Sequence, residues 1–267
     1  MSSKKRFFSA DRPETVEGRQ YHIGCKRGDV ARYVLLPGDP GRVPKIGRLW
    51  DEAGEVAYNR EYRTWTGKVG DVGISACSSG IGCPSAVIAL EELARVGADT
   101  FIRVGSTGAI QPNIKVGDLV ISAGAVRFEG TSKQYVPVEY PAVASFDVVC
   151  ALIKAAKKFG YRYHVGITAT TDSFYLGQGR PGFRGYSPSW VKDLIPNLRK
   201  ANVLNFEMES SALLTVASLY GLRMGVICAV FAEREANKFE PIGEEESCRT
   251  AVEAVKILSK VDKDRRI

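Results

Sequence analysis

Thr100-Phe101-Ile102-Arg103-Val104-Gly105-Ser106-Thr107-Gly108 decides how the rest of the chain is read. A short apolar, β-branched run carries one arginine near its end and then breaks into a loop of small residues. That is the pattern of a buried strand delivering its carboxyl end to a site. An arginine between Ile102 and Val104 is costly to bury without an anionic partner. Gly105, Ser106, Thr107 and Gly108 offer N–H and hydroxyl donors to the same anion. The stretch equally fits an edge strand whose arginine points into water, and taken alone it does not choose.

Upstream, Ser85 to Val96 reads as an apolar-periodic helix with Pro84 before it and Gly97 past its end, the usual placement of those residues. Before it, Asn59–Val69 and Val72–Cys77 flank Gly70-Asp71 as a hairpin. Strand, helix, strand at this spacing is a βαβ crossover, so the sheet is largely parallel. The first strand, Arg32–Leu36, stops at Pro37-Gly38-Asp39-Pro40-Gly41-Arg42, with a helix-like segment through Leu49 and Trp50. This tight turn suits an anion cradle, to which Arg42 adds charge-assisted donors. A plain βα turn with a surface arginine has the same appearance.

Downstream, Gly117–Ser122 resumes as strand and residues 126–141 make a long polar excursion suited to binding or subunit contact. Ser145–Phe159 is an amphipathic helix with Ser145 as N-cap. Val165–Thr170 is a strand, and the loop after it holds Phe174, Gln178 and Arg180, a set able to stack a flat heterocycle and bond its edge. Asn205 opens a helix to about Tyr220, on which Glu207 and Glu209 face different ways, so one of the two reaches a site. Met224–Phe231 is a last buried strand, followed by Arg234, and Ser247–Ser259 is a closing helix. Arg42, Arg103, Arg180 and Arg234 thus all stand at ends of expected parallel strands, the edge where α/β sheets bind ligands. Their convergence favours an anion site.

The chain's 267 residues, 45% of them hydrophobic, suffice for a sizeable core, and no internal boundary is evident. Residues 1–20 read as a flexible arm and 21–267 as one catalytic domain. The arm lacks a signal peptide's apolar core, and no run reaches the ~20 apolar residues of a membrane span. A soluble, cytoplasmic protein that binds neither membrane nor nucleic acid is expected. The net charge of +7 is dispersed apart from Lys4-Lys5-Arg6 and Lys263–Arg266. Six scattered cysteines without a C-x-x-C pair read as buried thiols. With only His22 and His164, neither a histidine metal site nor a triad base is expected.

Pro37-Gly38-Asp39-Pro40, Asn59-Arg60-Glu61-Tyr62, Gly80-Ile81-Gly82, Arg103–Gly108, Phe174-Tyr175 with Gln178 and Arg180, and Glu207-Met208-Glu209-Ser210 occur in order. Together they resemble the hexameric nucleoside phosphorylase family, and within it the members that cleave uridine. The resemblance covers the chain from about Tyr21 to the last helix. It implies a single α/β domain around a mixed, mostly parallel, partly barrel-like twisted sheet flanked by helices. It also implies a homohexamer, a trimer of dimers with shared active sites.

The implied activity is a pentosyl transfer in pyrimidine salvage: uridine and phosphate give uracil and ribose 1-phosphate, with no cofactor beyond phosphate as co-substrate. Carried over position by position, Gly38, Arg42, Arg103 and Ser106 hold phosphate, with Arg60 of a neighbouring subunit. Met208 and Glu209 position the ribose, and His22 of the neighbour meets its 5′-hydroxyl. Phe174 packs on the base while Gln178 and Arg180 bond its edge. Arg103, Gln178, Arg180 and Glu209 are thereby the catalytic group, and Thr107, Gly108, Glu207 and Arg234 complete the expected pocket. Glu61, Ile81 and Ser85 match positions that bind a monovalent cation, potassium, between subunits in some relatives.

Departures from the pattern are Cys83 for the usual glycine, Ser106 for threonine, and Phe231-Ala232-Glu233. At the last of these, purine-specific relatives carry a Ser-Asp pair whose aspartate protonates the base. The alternatives are therefore a purine nucleoside phosphorylase, with Glu233 as the displaced acid, and a non-catalytic nucleoside-binding or storage protein of the same fold.

Overall fold

In chain order the computed structural model, which describes residues 9–264, runs β1 (Tyr33–Pro37), α1 (Arg42–Gly47), β2 (Glu52–Asn59), β3 (Tyr62–Val69), β4 (Val72–Cys77), α2 (Cys83–Arg95) and β5 (Thr100–Ala109). There follow β6 (Leu119–Arg127), β7 (Ala142–Val143), α3 (Phe146–Phe159), β8 (Tyr163–Thr170), α4 (Ser189–Lys200) and β9 (Val203–Glu207). The chain closes with α5 (Ser210–Leu219), β10 (Arg223–Glu233), β11 (Lys238–Phe239) and α6 (Glu244–Asp264). Lys4–Arg6 and Arg265-Arg266 lie outside the described residues. Of the expected arm, Glu14 and Gln20 pair in an antiparallel bridge, with Thr15 and Gln20 buried.

All the strands join one mixed sheet. β1 lies parallel between β4 and β5, so the crossover through α2 skips one strand. β5 also pairs with β10 and β9, and the circuit β5–β10–β6–β8–β9 closes into a five-strand barrel. Alternation along β1 explains the layers. Tyr33 and Leu35 pack with α1, α3 and α6 on one face, whereas Val34 and Leu36 pack with α2 and α5 on the other. No helix among the described residues is long and apolar enough to cross a membrane.

Three local expectations change, and one strand went unannounced. Residues 105–108 are not a loop, because β10 pairs alongside them and carries β5 to Ala109. Residues 205–207 are strand rather than the start of a helix, since β9 fills the barrel between β8 and β5, and α5 starts at Ser210. β2 is an exposed edge strand without the clear alternation that would announce it. Ser145 flanks α3 as expected, but its hydroxyl accepts from Met224 N at 3.0 Å instead of capping the helix.

Candidate active site

β8 runs parallel to β9 and β9 antiparallel to β5, so the loop after β8 comes from the direction opposite to β5. The site is therefore not one edge of a parallel sheet, as the strand order suggested, but the place where opposed strands of the barrel meet. There they enclose a cavity of about 780 Å³, within the usual size of small-molecule sites.

Arg103, on β5, is 4% exposed and lies in the cavity wall. Gly105 makes room for it: a Cβ there would stand 2.9 Å from both Arg103 Nη2 and Cys228 Sγ. Its Nε donates to Glu207 Oε2 at 3.1 Å and its Nη2 pairs with Glu209 Oε2. Burial opposes the charge on Arg103, but Glu209 and Glu207 outweigh it and raise its pKa. Nη1 is buried and has no partner among the described residues. A buried donor of this kind normally meets an acceptor. It is the atom an incoming anion would satisfy.

Both glutamates reach the site, contrary to the expectation from a helix. Antiparallel pairing of Phe206 with Gly108 brings the end of β9 beside Arg103. Glu207 Oε2 also accepts from the N–H groups of Glu209 (2.8 Å) and Ser210 (2.9 Å), while Oε1 accepts from Thr170 Oγ1 at 2.5 Å. Its oxygens are committed to protein donors. Glu209 is less occupied: Oε1 accepts from Gly82 N at 2.6 Å, and burial, opposed by Arg103, raises its pKa. Glu209 is thus the carboxylate better able to accept from a ligand hydroxyl. Thr107 Oγ1 is likewise committed, donating to Phe206 O at 2.5 Å.

Gly38, Arg42 and Ser106 line the same cavity, as do Gly108 and Met208. Gly38 approaches the carbonyl of Gly80, to which an added Cβ would stand at 3.2 Å. Arg42 is buried and pairs with Glu244 of α6, a partner no sequence signal announced. Opposite in chemical character is the loop after β8. Gln178 is 2% exposed, Arg180 Nη1 donates to its Oε1 at 2.6 Å, and the Arg180 guanidinium lies 3.9 Å from the Phe174 ring centre. Burial, with Arg234 nearby, lowers the pKa of Arg180 to about 10, so it stays charged near neutrality. The apolar wall is completed by Phe206, Phe231 and Phe239. Phe231 stands out of register at a bulge in β10, and β11 brings up Phe239. Phe239 lies outside every polar motif, and no sequence signal announced it.

Arg234 does not line the cavity; it holds the loop after β8, donating to Gln178 O at 2.7 Å. Glu233 also points elsewhere, accepting from Val116 N at 3.1 Å and Lys115 Nζ at 3.2 Å. The Val116 hydrogen bond chiefly, with help from Lys115, lowers its pKa. It is placed and charged wrongly for protonating a base in this cavity. His22 and Arg60 are not in the wall either. His22 Nδ1 meets Glu92 Oε1 at 2.6 Å, and Arg60 Nη2 donates to Tyr21 Oη at 2.9 Å. Glu61, Ile81 and Ser85 sit at the cavity's wall, with Ser85 Oγ donating to Glu61 Oε1 at 3.0 Å and Ile81 80% exposed. The six cysteines are free thiols, and burial raises the pKa of Cys83.

Residues 32–261 match the Phosphorylase superfamily. The chain is 64% identical over 261 residues to a uridine phosphorylase of Thermococcus kodakarensis, covering 98% of this chain and 94% of the relative. It is 41% identical over 250 residues to a uridine phosphorylase of Klebsiella aerogenes, covering 92% and 97%. A guanosine phosphorylase of Halorubrum lacusprofundi is 42% identical over 212 residues, covering 79% and 83%.

Proposed function

The chain belongs to the phosphorylase superfamily, and from that premise we propose that it is a uridine phosphorylase, a pentosyltransferase converting uridine and phosphate to uracil and ribose 1-phosphate. The observation that carries this reading is the pairing of two unlike ends in one cavity: the buried Arg103 with its unpartnered Nη1, and the Gln178–Arg180 pair beside Phe174.

Phosphate is itself the nucleophile, so the protein's work is placement and electrostatics. Arg42, Arg103, Ser106 and the Gly38 turn hold it beneath C1′ of the ribose. Glu209 accepts from a ribose hydroxyl, with Met208 against the sugar. A phosphate oxygen forms the new bond to C1′ as the C1′–N1 bond breaks, and the electron pair leaves with uracil. Positive charge growing on the sugar faces phosphate, while negative charge on uracil faces Gln178 and Arg180. Donors fixed before the reaction stabilise that charge without reorganising.

His22 and Arg60, outside their own chain's cavity, serve the cavity of a second copy in this reading, within a homohexamer built as a trimer of dimers. The oxygens of Glu61, Ile81 and Ser85 suit a monovalent cation such as potassium, which would lend structural charge at the subunit contact. A role in pyrimidine salvage in the cytoplasm accompanies the activity. The guanosine-cleaving relative favours a purine reading, whereas the orientation of Glu233 weighs against it. The test is turnover of uridine, thymidine, inosine, guanosine and adenosine with and without phosphate. Uridine is expected to lead, only with phosphate present; faster guanosine or inosine cleavage, or turnover without phosphate, overturns the assignment.

A further inference from the structure

Arg42 is 5% exposed, and each of its nitrogens is already engaged. Nη1 donates to Val104 O at 2.9 Å, and Nε and Nη2 reach the same Glu244 oxygen, Oε2, at 3.0 and 2.9 Å. Glu244 is the first residue of α6 and is not part of the cavity wall. Its other oxygen accepts from Lys45 Nζ at 2.6 Å. Lys45 lies on α1, the helix that Arg42 opens, so one carboxylate is stretched between two cations of a single turn. A carboxylate in the first turn of a helix is further favoured by the helix dipole. Burial works against its ionisation, but Lys45 and Arg42 outweigh it and hold the Glu244 pKa below the usual carboxylate range.

A guanidinium has five N–H donors in a fixed plane. Val104 and Glu244 take one hydrogen each from Nε, Nη1 and Nη2, which leaves one on each terminal nitrogen. We propose that Glu244 is a positioning residue for phosphate: with the Val104 carbonyl it clamps Arg42 so that those two remaining donors are presented to the cavity. The proposal rests on the phosphorolysis reading of the same site.

The carboxylate has two opposing effects. Its charge offsets the pull of Arg42 on an anion, and its hydrogen bonds fix the direction of the donors. Lys45 already neutralises one negative charge there, so the orienting effect dominates. Loss of Glu244 then weakens phosphate use rather than strengthening it. Nothing about the nucleoside end of the cavity should change, since Gln178, Arg180 and Phe174 make no contact with Glu244.

The experiment is steady-state phosphorolysis of uridine by the full chain, varying phosphate at saturating uridine and then the reverse. Glu244→Ala is expected to raise phosphate KM at least fivefold while uridine KM stays within twofold. Glu244→Gln, whose amide oxygen still accepts from Arg42, should recover most of that loss. Lys45→Ala, a change at an exposed side chain, should raise phosphate KM two- to threefold and covers the case in which the alanine variant does not fold. Unchanged phosphate KM in the variants, a fall in it, or an equal rise in both KM values overturns the role of Glu244. If the unaltered protein cleaves uridine without regard to phosphate, the reading of the site fails together with the proposal.

Discussion

Gln178 and Arg180 are tied to each other by a 2.6 Å hydrogen bond from the guanidinium to the amide oxygen. The bond turns the amide so that its NH₂ group is left for a ligand, while the Arg180 guanidinium stays over the Phe174 ring. Two donors at this end of the cavity are thus oriented before any ligand arrives. Gln178→Ala should lower uridine kcat/KM tenfold or more, about 1.4 kcal/mol of transition-state stabilisation. Phosphate KM should hardly move. Steady-state kinetics with each substrate varied checks this, and an unchanged uridine kcat/KM removes Gln178 from the site.

Arg103 carries both structure and chemistry. Arg103→Ala strands Glu207 and Glu209 as buried carboxylates without their cation, a change that typically costs roughly 3–5 kcal/mol. The variant should unfold at lower denaturant, and phosphate should no longer raise its thermal midpoint as it does that of the parent. Thermal melts with and without phosphate check both parts. A variant as stable as the parent, or one still stabilised by phosphate, contradicts the placement.

Gly105 is a steric probe of the same arginine. A methyl group there lies 2.9 Å from Arg103 Nη2 and from Cys228 Sγ, so the guanidinium must move. Displacements near 1 Å in a positioned group cost on the order of a hundredfold in rate. Gly105→Ala should therefore lose phosphorolysis on that scale, with a folded structure by circular dichroism. Near-parent activity would show that Arg103 tolerates displacement.

Asp262 ties α6 to the starts of β1 and β10. It accepts from Tyr33 Oη at 2.7 Å and from Arg223 Nη1 and Nη2 at 2.9 and 2.6 Å. Burial opposes ionisation, but the Arg223 and Tyr33 hydrogen bonds outweigh it and lower its pKa. A carboxylate lowered in the folded state contributes fully above its unfolded pKa, about 3.9, and loses that contribution as pH falls through the folded value. Asp262→Asn should accordingly be less stable than the parent near neutral pH, and the gap should narrow below about pH 4. Urea unfolding at several pH values measures it; a gap independent of pH contradicts the ion network.

The elements β1, β4, α2 and β5 were legible because apolar runs, Pro84 and Gly97 mark them locally, whereas the place of β1 between β4 and β5 was not. The polar motifs were legible too, through their order and spacing together, since none of them is distinctive alone. What sequence could not convey was how distant segments compete. Residues 105–108 have weak strand character and become strand only because β10 lies alongside. Residues 205–207 read as the start of a helix because Glu207-Met208-Glu209-Ser210 runs into a helical pattern, whereas barrel closure makes them strand. That one change brings both glutamates to Arg103. Phe239 reaches the cavity wall, and Glu244 reaches Arg42 behind it, from segments whose local pattern is that of a hairpin and an ordinary helix start.

The central claim is that phosphate held by Arg103 and Arg42 attacks the sugar. Uridine cleavage run with isotopically labelled inorganic phosphate, the products separated and counted, tests it most directly. The account requires one labelled ribose 1-phosphate for each uracil released. Uracil accompanied by free ribose, with all the label remaining in inorganic phosphate, would contradict it.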